Sequence, residues 1–211
     1  MLGSLGQDLK LAYDFEPLKG GGDSRQARYT TDNSDKLKGT VEKVAYFVTA
    51  EPIKGDRKWL CVYMDAFTPD VKKCGVPTAS IGTGFQQKVS NVSVYTNVKG
   101  IKTGSCGEGN IEFWANNYST GRGLRLPGAS DSLYDFDDRV EKPLHKAGYG
   151  SMQVHLFKEK QTLLAYNSFS SGKSADFGFG NSTGQTRDWT FEKNLGRDYR
   201  NVKISVYVKM K

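Results

Sequence analysis

From residue 202 onward the chain alternates without a break: Val202, Ile204, Val206, Val208 and Met210 stand against Lys203, Ser205, Tyr207, Lys209 and Lys211. Successive side chains of a β-strand point to opposite faces, so such a run reads as a half-buried antiparallel strand. The same period recurs where Val92, Val94, Thr96 and Val98 alternate with Ser93, Tyr95 and Asn97. It recurs again where Met152, Val154 and Leu156 alternate with Gln153, His155 and Phe157. Val44, Tyr46 and Val48 share a segment with Ala45 and Phe47, which predicts burial on both faces, and residues 59–64 form a short apolar run. One more strand is expected near residues 9–15. Lys99-Gly100, Gly107-Glu-Gly-Asn110, Gly121-Arg-Gly123, Ser170-Ser-Gly172 and Asn181-Ser-Thr-Gly184 read as turns between strands. No window carries a convincing amphipathic helix. The expected fold is therefore all-β, an antiparallel β-sandwich of jelly-roll-like form.

A chain of 211 residues can bury a full core as one such domain. Residues 1–40, polar and Gly-rich, are assigned an N-terminal strand and a loop of that domain, and residues 41–211 the sandwich itself. No stretch approaches the roughly 18 apolar residues of a membrane span, so no membrane partner is expected. The first residues show no charged leader followed by an apolar run; an excised piece of a secreted parent and a cytosolic protein would both begin this way. Lys and Arg exceed Asp and Glu by 30 to 23, a net charge of +7. That excess either biases partners toward anions or merely keeps the domain soluble, and both readings stand. The basic residues are scattered rather than massed on one element, so nucleic acid is not an expected partner. Cys61, Cys74 and Cys106 lack metal-ligand spacing. A Cys61–Cys74 bridge and free buried thiols are equally compatible with the sequence.

Several constellations could carry chemistry. Glu112-Phe-Trp-Ala-Asn-Asn-Tyr118 is followed by Arg122 and Arg125. Aromatic faces against sugar C–H surfaces, amides on hydroxyls and guanidinium groups on carboxylate or sulfate make a glycan-binding set. Trp114, Asn116, Asn117, Tyr118, Arg122 and Arg125 are accordingly the candidate ligand-binding residues. Trp114 in the core, with turn chemistry beyond it, is the alternative. Arg187 and Trp189 close a second Gly-rich stretch, residues 176–189, and are further candidates. Asp131-Ser-Leu-Tyr-Asp-Phe-Asp-Asp138 offers oxygen donors of the type Ca2+ takes, without an EF-hand spacing. A structural Ca2+ ion and a solvated acidic loop are the competing expectations there. Residues 116–150 form a long segment with few apolar runs, the kind of loop that is either functional or disordered. Its aromatic residues and paired charges argue against disorder.

Gln153 and His155, two apart on one strand, must share a face. The pair resembles the Gln-Ile/Val-His strand of alginate-lyase jelly rolls, although the other strands of that pattern are absent. With only two histidines, no Gly-x-Ser-x-Gly elbow and no P-loop, no catalytic residue and no metal site is assigned.

Gly148-Tyr-Gly-Ser-Met-Gln-Val-His155 also resembles a larger pattern when read with Phe85-Gln-Gln-Lys-Val-Ser-Asn-Val-Ser-Val-Tyr-Thr-Asn-Val98, Ile111-Glu-Phe-Trp-Ala-Asn-Asn-Tyr118, Pro127-Gly-Ala-Ser-Asp131 and Arg187-Asp-Trp-Thr-Phe191. From about residue 41 to residue 208 the chain resembles an accessory β-domain of secreted multidomain bacterial proteins. These are the planctomycete-type, sialate O-acetylesterase-like and other glycan-processing proteins. The resemblance implies a non-catalytic module beside a catalytic domain of a parent protein, secreted or at the cell surface. Esterase activity does not transfer, since the nucleophile motif is missing. The expected function is a carbohydrate-binding module for a polysaccharide, acidic or sulfated, that tethers an attached enzyme. The alternatives are a polysaccharide lyase or hydrolase using Gln153 and His155, and a structural or protein-interaction domain.

Overall fold

The computed structural model describes residues 8–16, 28–76, 85–114, 151–156, 158–159, 161–167, 176–180, 193–194 and 199–211. The strands are β1 (Lys10–Glu16), β2 (Arg28–Asp32), β3 (Val41–Pro52), β4 (Lys58–Asp65), β5 (Phe85–Thr96) and β6 (Gly104–Trp114). They continue as β7 (Ser151–Leu156), β8 (Gln161–Asn167), β9 (Asp176–Phe179), β10 (Lys193–Asn194) and β11 (Tyr199–Met210). Short 3-10 turns occupy Ser34–Lys36 and Val71–Lys73. Among the described residues no helix is long and apolar enough to cross a membrane.

All of these strands join one 11-stranded sheet in the order β10-β9-β8-β7-β6-β5-β4-β3-β11-β1-β2. Every strand pairing among the described residues is antiparallel, as the sequence predicted. From β3 to β10 each strand hydrogen-bonds to the next in sequence, while the long β11 returns to lie between β3 and β1. The sheet curls over its own core, so the layers of the expected sandwich are two halves of a single hydrogen-bonded sheet. Phe15 on β1 meets Tyr166 on β8 at 5.4 Å, and Phe177 on β9 meets Tyr199 on β11 at 5.7 Å, in both cases across the core. Inside lie Val44, Tyr46, Val48, Leu60, Val62, Val94, Ile111, Phe113, Val154, Leu164, Ile204 and Val206, all buried. Each fully buried side chain of this size contributes about 1.5–3 kcal/mol of transfer free energy.

Alternation predicts the inner set on β11, β7 and the second half of β5 correctly. Two bulges explain where it slips. On β5, Val89 and Val92 both point inward, and between them Asn91 takes a left-handed conformation at φ 52°. On β8, Leu163 and Leu164 are adjacent and both buried, because the register shifts opposite Val154 and His155.

Gly107-Glu-Gly-Asn110, expected as a turn, lies inside β6. Gly107 sits at φ 83° across from the β5 bulge. A Cβ on Gly109 would stand 2.4 Å from the His155 carbonyl oxygen. These glycines serve close strand approach, not chain reversal.

The inner end of the core is tied by tyrosines. Tyr13, Tyr29 and Tyr46 donate their hydroxyls to the carbonyls of Val71 (3.3 Å), Val76 (2.5 Å) and Cys74 (2.7 Å). The 3-10 turn and the residues after it are thereby fastened to β1, β2 and β3. All three cysteines are free and buried, and no Cys61–Cys74 bridge forms. Cys74 joins the inner core, whereas Cys61 lies opposite Phe47 and Tyr95 on the outer face, so the sheet separates them.

Candidate functional site

The outer face has two unlike halves. On β3 the odd-numbered residues from Lys43 onward point away from the core, and the strand registers carry that parity across the sheet. Phe47 faces Cys61 on β4 and Ser205 on β11. Cys61 faces Tyr95 on β5, Ala45 faces Tyr63 and Tyr207, and Thr49 faces Trp59. Phe47, Trp59, Tyr63, Tyr95 and Tyr207 therefore share one outward surface. At about 4.8 Å per strand interval it spans roughly 14 Å from β11 to β5. Tyr95 is 36% exposed and the other rings are half-buried. Phe47 and Trp59 lie 6.4 Å apart with ring planes tilted by 35°. The small side chains Ala45 and Cys61 fill the gaps between rings, and burial pushes the Cys61 thiol up to about 12.

Charge rims this surface. Lys43 lies 5.9 Å above the Tyr63 ring and pairs with Asp65, whose other oxygen accepts from Asn91 Nδ2 at 2.7 Å. These partners hold the Asp65 carboxyl below the usual carboxylate range, the Lys43 hydrogen bond first among them. Lys203 pairs with Asp14 at 2.7 Å, and Ser205 Oγ donates to the second Asp14 oxygen at 2.6 Å.

At the Trp59 end the balance is positive. The β3–β4 turn brings Lys54 and Arg57 beside Lys58, and Arg200 joins them by donating from Nη2 to the Ile53 carbonyl at 3.3 Å. Glu51 and Asp56 are the acids of this stretch. Asn97 pins the turn, accepting from Trp59 N at 2.9 Å and donating to the Arg57 carbonyl at 2.8 Å. Thr96 Oγ1 donates to the Trp59 carbonyl at 2.6 Å. The indole at the head of β4 is thus held by its own backbone, a firm anchor beside mobile-length cationic side chains.

The other half, on β5 to β8, is polar and closed. Gln86 faces Glu112, which faces Gln153; Asn110 faces His155, which faces Thr162. All are buried although they lie opposite the core-facing Ile111, Phe113, Met152 and Val154. His155 Nδ1 and Thr162 Oγ1 are 2.9 Å apart. Desolvation by complete burial lowers the His155 imidazole to about 3, so it is neutral at ordinary pH. Such a ring accepts or donates hydrogen bonds, but it is a poor general base near neutrality, where catalytic bases are tuned close to the working pH.

Gln153 and His155 share a face, as their spacing required. Trp114 closes β6 in register with Ser151. Asn116, Asn117, Tyr118, Arg122, Arg125, Arg187 and Trp189 lie outside the described residues, as does the acidic run 131–138 considered for Ca2+. Among the described residues no group of His, Cys, Asp and Glu is placed to hold a metal ion. Sequence reasoning missed the outer aromatic surface. Its signal was present in the odd positions of the double-faced segment 44–48 and of the apolar run 59–64, but strand registers were needed to unite them. No family model, curated protein or solved structure matches the chain.

Proposed function

We propose that the chain is a non-catalytic carbohydrate-binding module that takes an anionic polysaccharide on the outer face of β11, β3, β4 and β5. One observation carries this reading: rings from neighbouring strands share an accessible surface that ends in the cationic β3–β4 turn. Flat rings accept the C–H faces of successive sugar units. Lys54, Arg57, Lys58 and Arg200 supply the charge for carboxylate or sulfate groups. The net charge of +7 draws such a polymer to the surface. The resemblance of the quoted strings to accessory domains supports a place beside a catalytic domain in a secreted or cell-surface parent. There, repeated weak contacts along a polymer would hold the enzyme by avidity. Arg122 and Arg125 are proposed as additional contacts.

Affinity electrophoresis through gels containing neutral, carboxylated or sulfated polysaccharides tests the reading. The carboxylated and sulfated polymers are expected to retard the protein, less so as salt rises. Absence of retardation by every polymer would transfer the weight to a protein-interaction role. The lyase alternative is tested separately, by whether unsaturated uronate ends accumulate when uronic-acid polymers are incubated with the chain.

A further inference from the structure

Because β3 to β8 follow one another as antiparallel neighbours, the β3–β4, β5–β6 and β7–β8 turns project from one end of the sheet, the end that carries Trp59. Lys54 and Arg57 of the first turn are joined there by Lys99 and Lys102 of the second and Lys158 of the third. Between the second and third turns, at the head of β6, lies a depression of about 420 Å³ walled by Lys102, Ser105, Cys106, Gly107, Glu108 and Lys158. That volume falls in the range of small-molecule pockets. Its walls are fastened on two sides. Gln161 donates from Nε2 to the Gly100 carbonyl at 2.8 Å and accepts from Lys102 N at 3.2 Å, which fixes the β5–β6 turn to β8. Lys102 Nζ is held by Glu159 of the β7–β8 turn. Cys106 Sγ donates to the Gly104 carbonyl at 3.4 Å. Gly107, at φ 83°, has nothing within 4 Å of where a Cβ would stand, so the space beside it stays open.

The charges around this depression do not cancel. Glu159 is matched by Lys102, and Glu108 by Lys88 at 2.6 Å. Lys158 is the cation left over, exposed and without a carboxylate partner among the described residues. An ammonium group has three donors, so Lys102 also keeps donors beyond its contact with Glu159. We propose that the depression is a subsite for one acidic sugar residue, a uronate. Its carboxylate meets Lys158 and Lys102, while its hydroxyls meet the exposed Ser105 hydroxyl and the Glu108 carboxylate, which has lone pairs beyond the Lys88 contact. A neutral sugar would leave Lys158 unmatched, and a bare oxyanion would gain nothing from Glu108. By register Ser105 faces Ser93, two residues from Tyr95 on β5, so the subsite adjoins the β5 edge of the aromatic surface. The choice of a sugar rests on the polysaccharide reading; the choice of an anion rests on the lysines of this depression.

The test is an NMR titration of the whole 15N-labelled chain with glucuronate, with glucose as the neutral counterpart and inorganic sulfate as the bare oxyanion. Glucuronate is expected to shift the amides of Lys102, Ser105, Gly107 and Lys158 saturably, sulfate to shift them more weakly, and glucose to leave them in place. Lys158→Gln, on an exposed turn, should weaken glucuronate roughly fivefold, the worth of about one hydrogen bond, and Lys158→Arg should restore most of the loss. Sulfate or glucose acting as strongly as glucuronate, shifts confined to other residues, or undiminished binding by Lys158→Gln would overturn the subsite. The two readings fail separately. Polymer retardation without these shifts removes the subsite and leaves the aromatic surface, whereas shifts without retardation by any polymer remove the aromatic surface and leave the subsite.

Discussion

His155 shows how a single side chain links burial to pH. Its folded-state value of about 3 lies below the usual 6.5, so the unfolded chain takes up a proton that the folded chain refuses. The stability this contributes is complete above pH 6.5 and is lost progressively as pH falls toward 3. Between pH 7 and pH 5 the loss amounts to about 2 kcal/mol, a visible fall in Tm. His155→Gln should flatten the melting temperature over that interval, and an unchanged slope would show that another group sets it. Tyr46 illustrates a different cost. Its hydroxyl donates to the Cys74 carbonyl inside the core, and burial raises its pKa well above the usual value. Tyr46→Phe leaves that carbonyl unsatisfied and should cost about 1–3 kcal/mol in urea unfolding, with little change in m. The sequence revealed that Gln153 and His155 share a face, because a period of two requires it. It did not reveal Asn110 and Glu112 beside them, since the neighbouring glycines read as a turn.

Legibility of an element depended on whether its alternation survived its bulges. β7 keeps period two throughout, β11 keeps it from Val202 to Val208, and β5 keeps it beyond Asn91. β8 was hidden because adjacent Leu163 and Leu164 break the pattern at a register shift. β2 and β10 are short and polar, with nothing periodic to find. β6 was partly hidden by Gly107 and Gly109, the residues that allow it to pair as it does. Gly109→Ala would put a methyl group 2.4 Å from the carbonyl oxygen of His155, a backbone atom that can retreat only if β7 moves. A loss of roughly 1–3 kcal/mol is expected, the range for an overpacked site. Amide exchange should quicken first in β6 and β7, the strands that must part. Uniform protection in that variant would show that the strands absorb the methyl group without separating.

At the scale of the molecule, one curled sheet encloses one core and presents two outer surfaces of opposite character. Because β1 and β8 meet through Phe15 and Tyr166, the halves should not unfold separately. Phe113, packed against Tyr46 at 6.4 Å and Phe67 at 5.8 Å, is the residue to remove. Phe113→Ala should cost about 3–5 kcal/mol and shift a single calorimetric transition without splitting it. The residues divide along the same lines, with rings and cations on the open half and buried amides on the closed half. The direct test of the proposed polysaccharide surface is affinity electrophoresis in a carboxylated polysaccharide, comparing the wild type with Trp59→Ala/Tyr95→Ala and Arg122→Ala/Arg125→Ala. Loss of the two rings should weaken retardation roughly tenfold or more while the fold is kept. Full retardation of the ring variant, with loss confined to the arginine variant, would contradict the outer aromatic face as the binding surface.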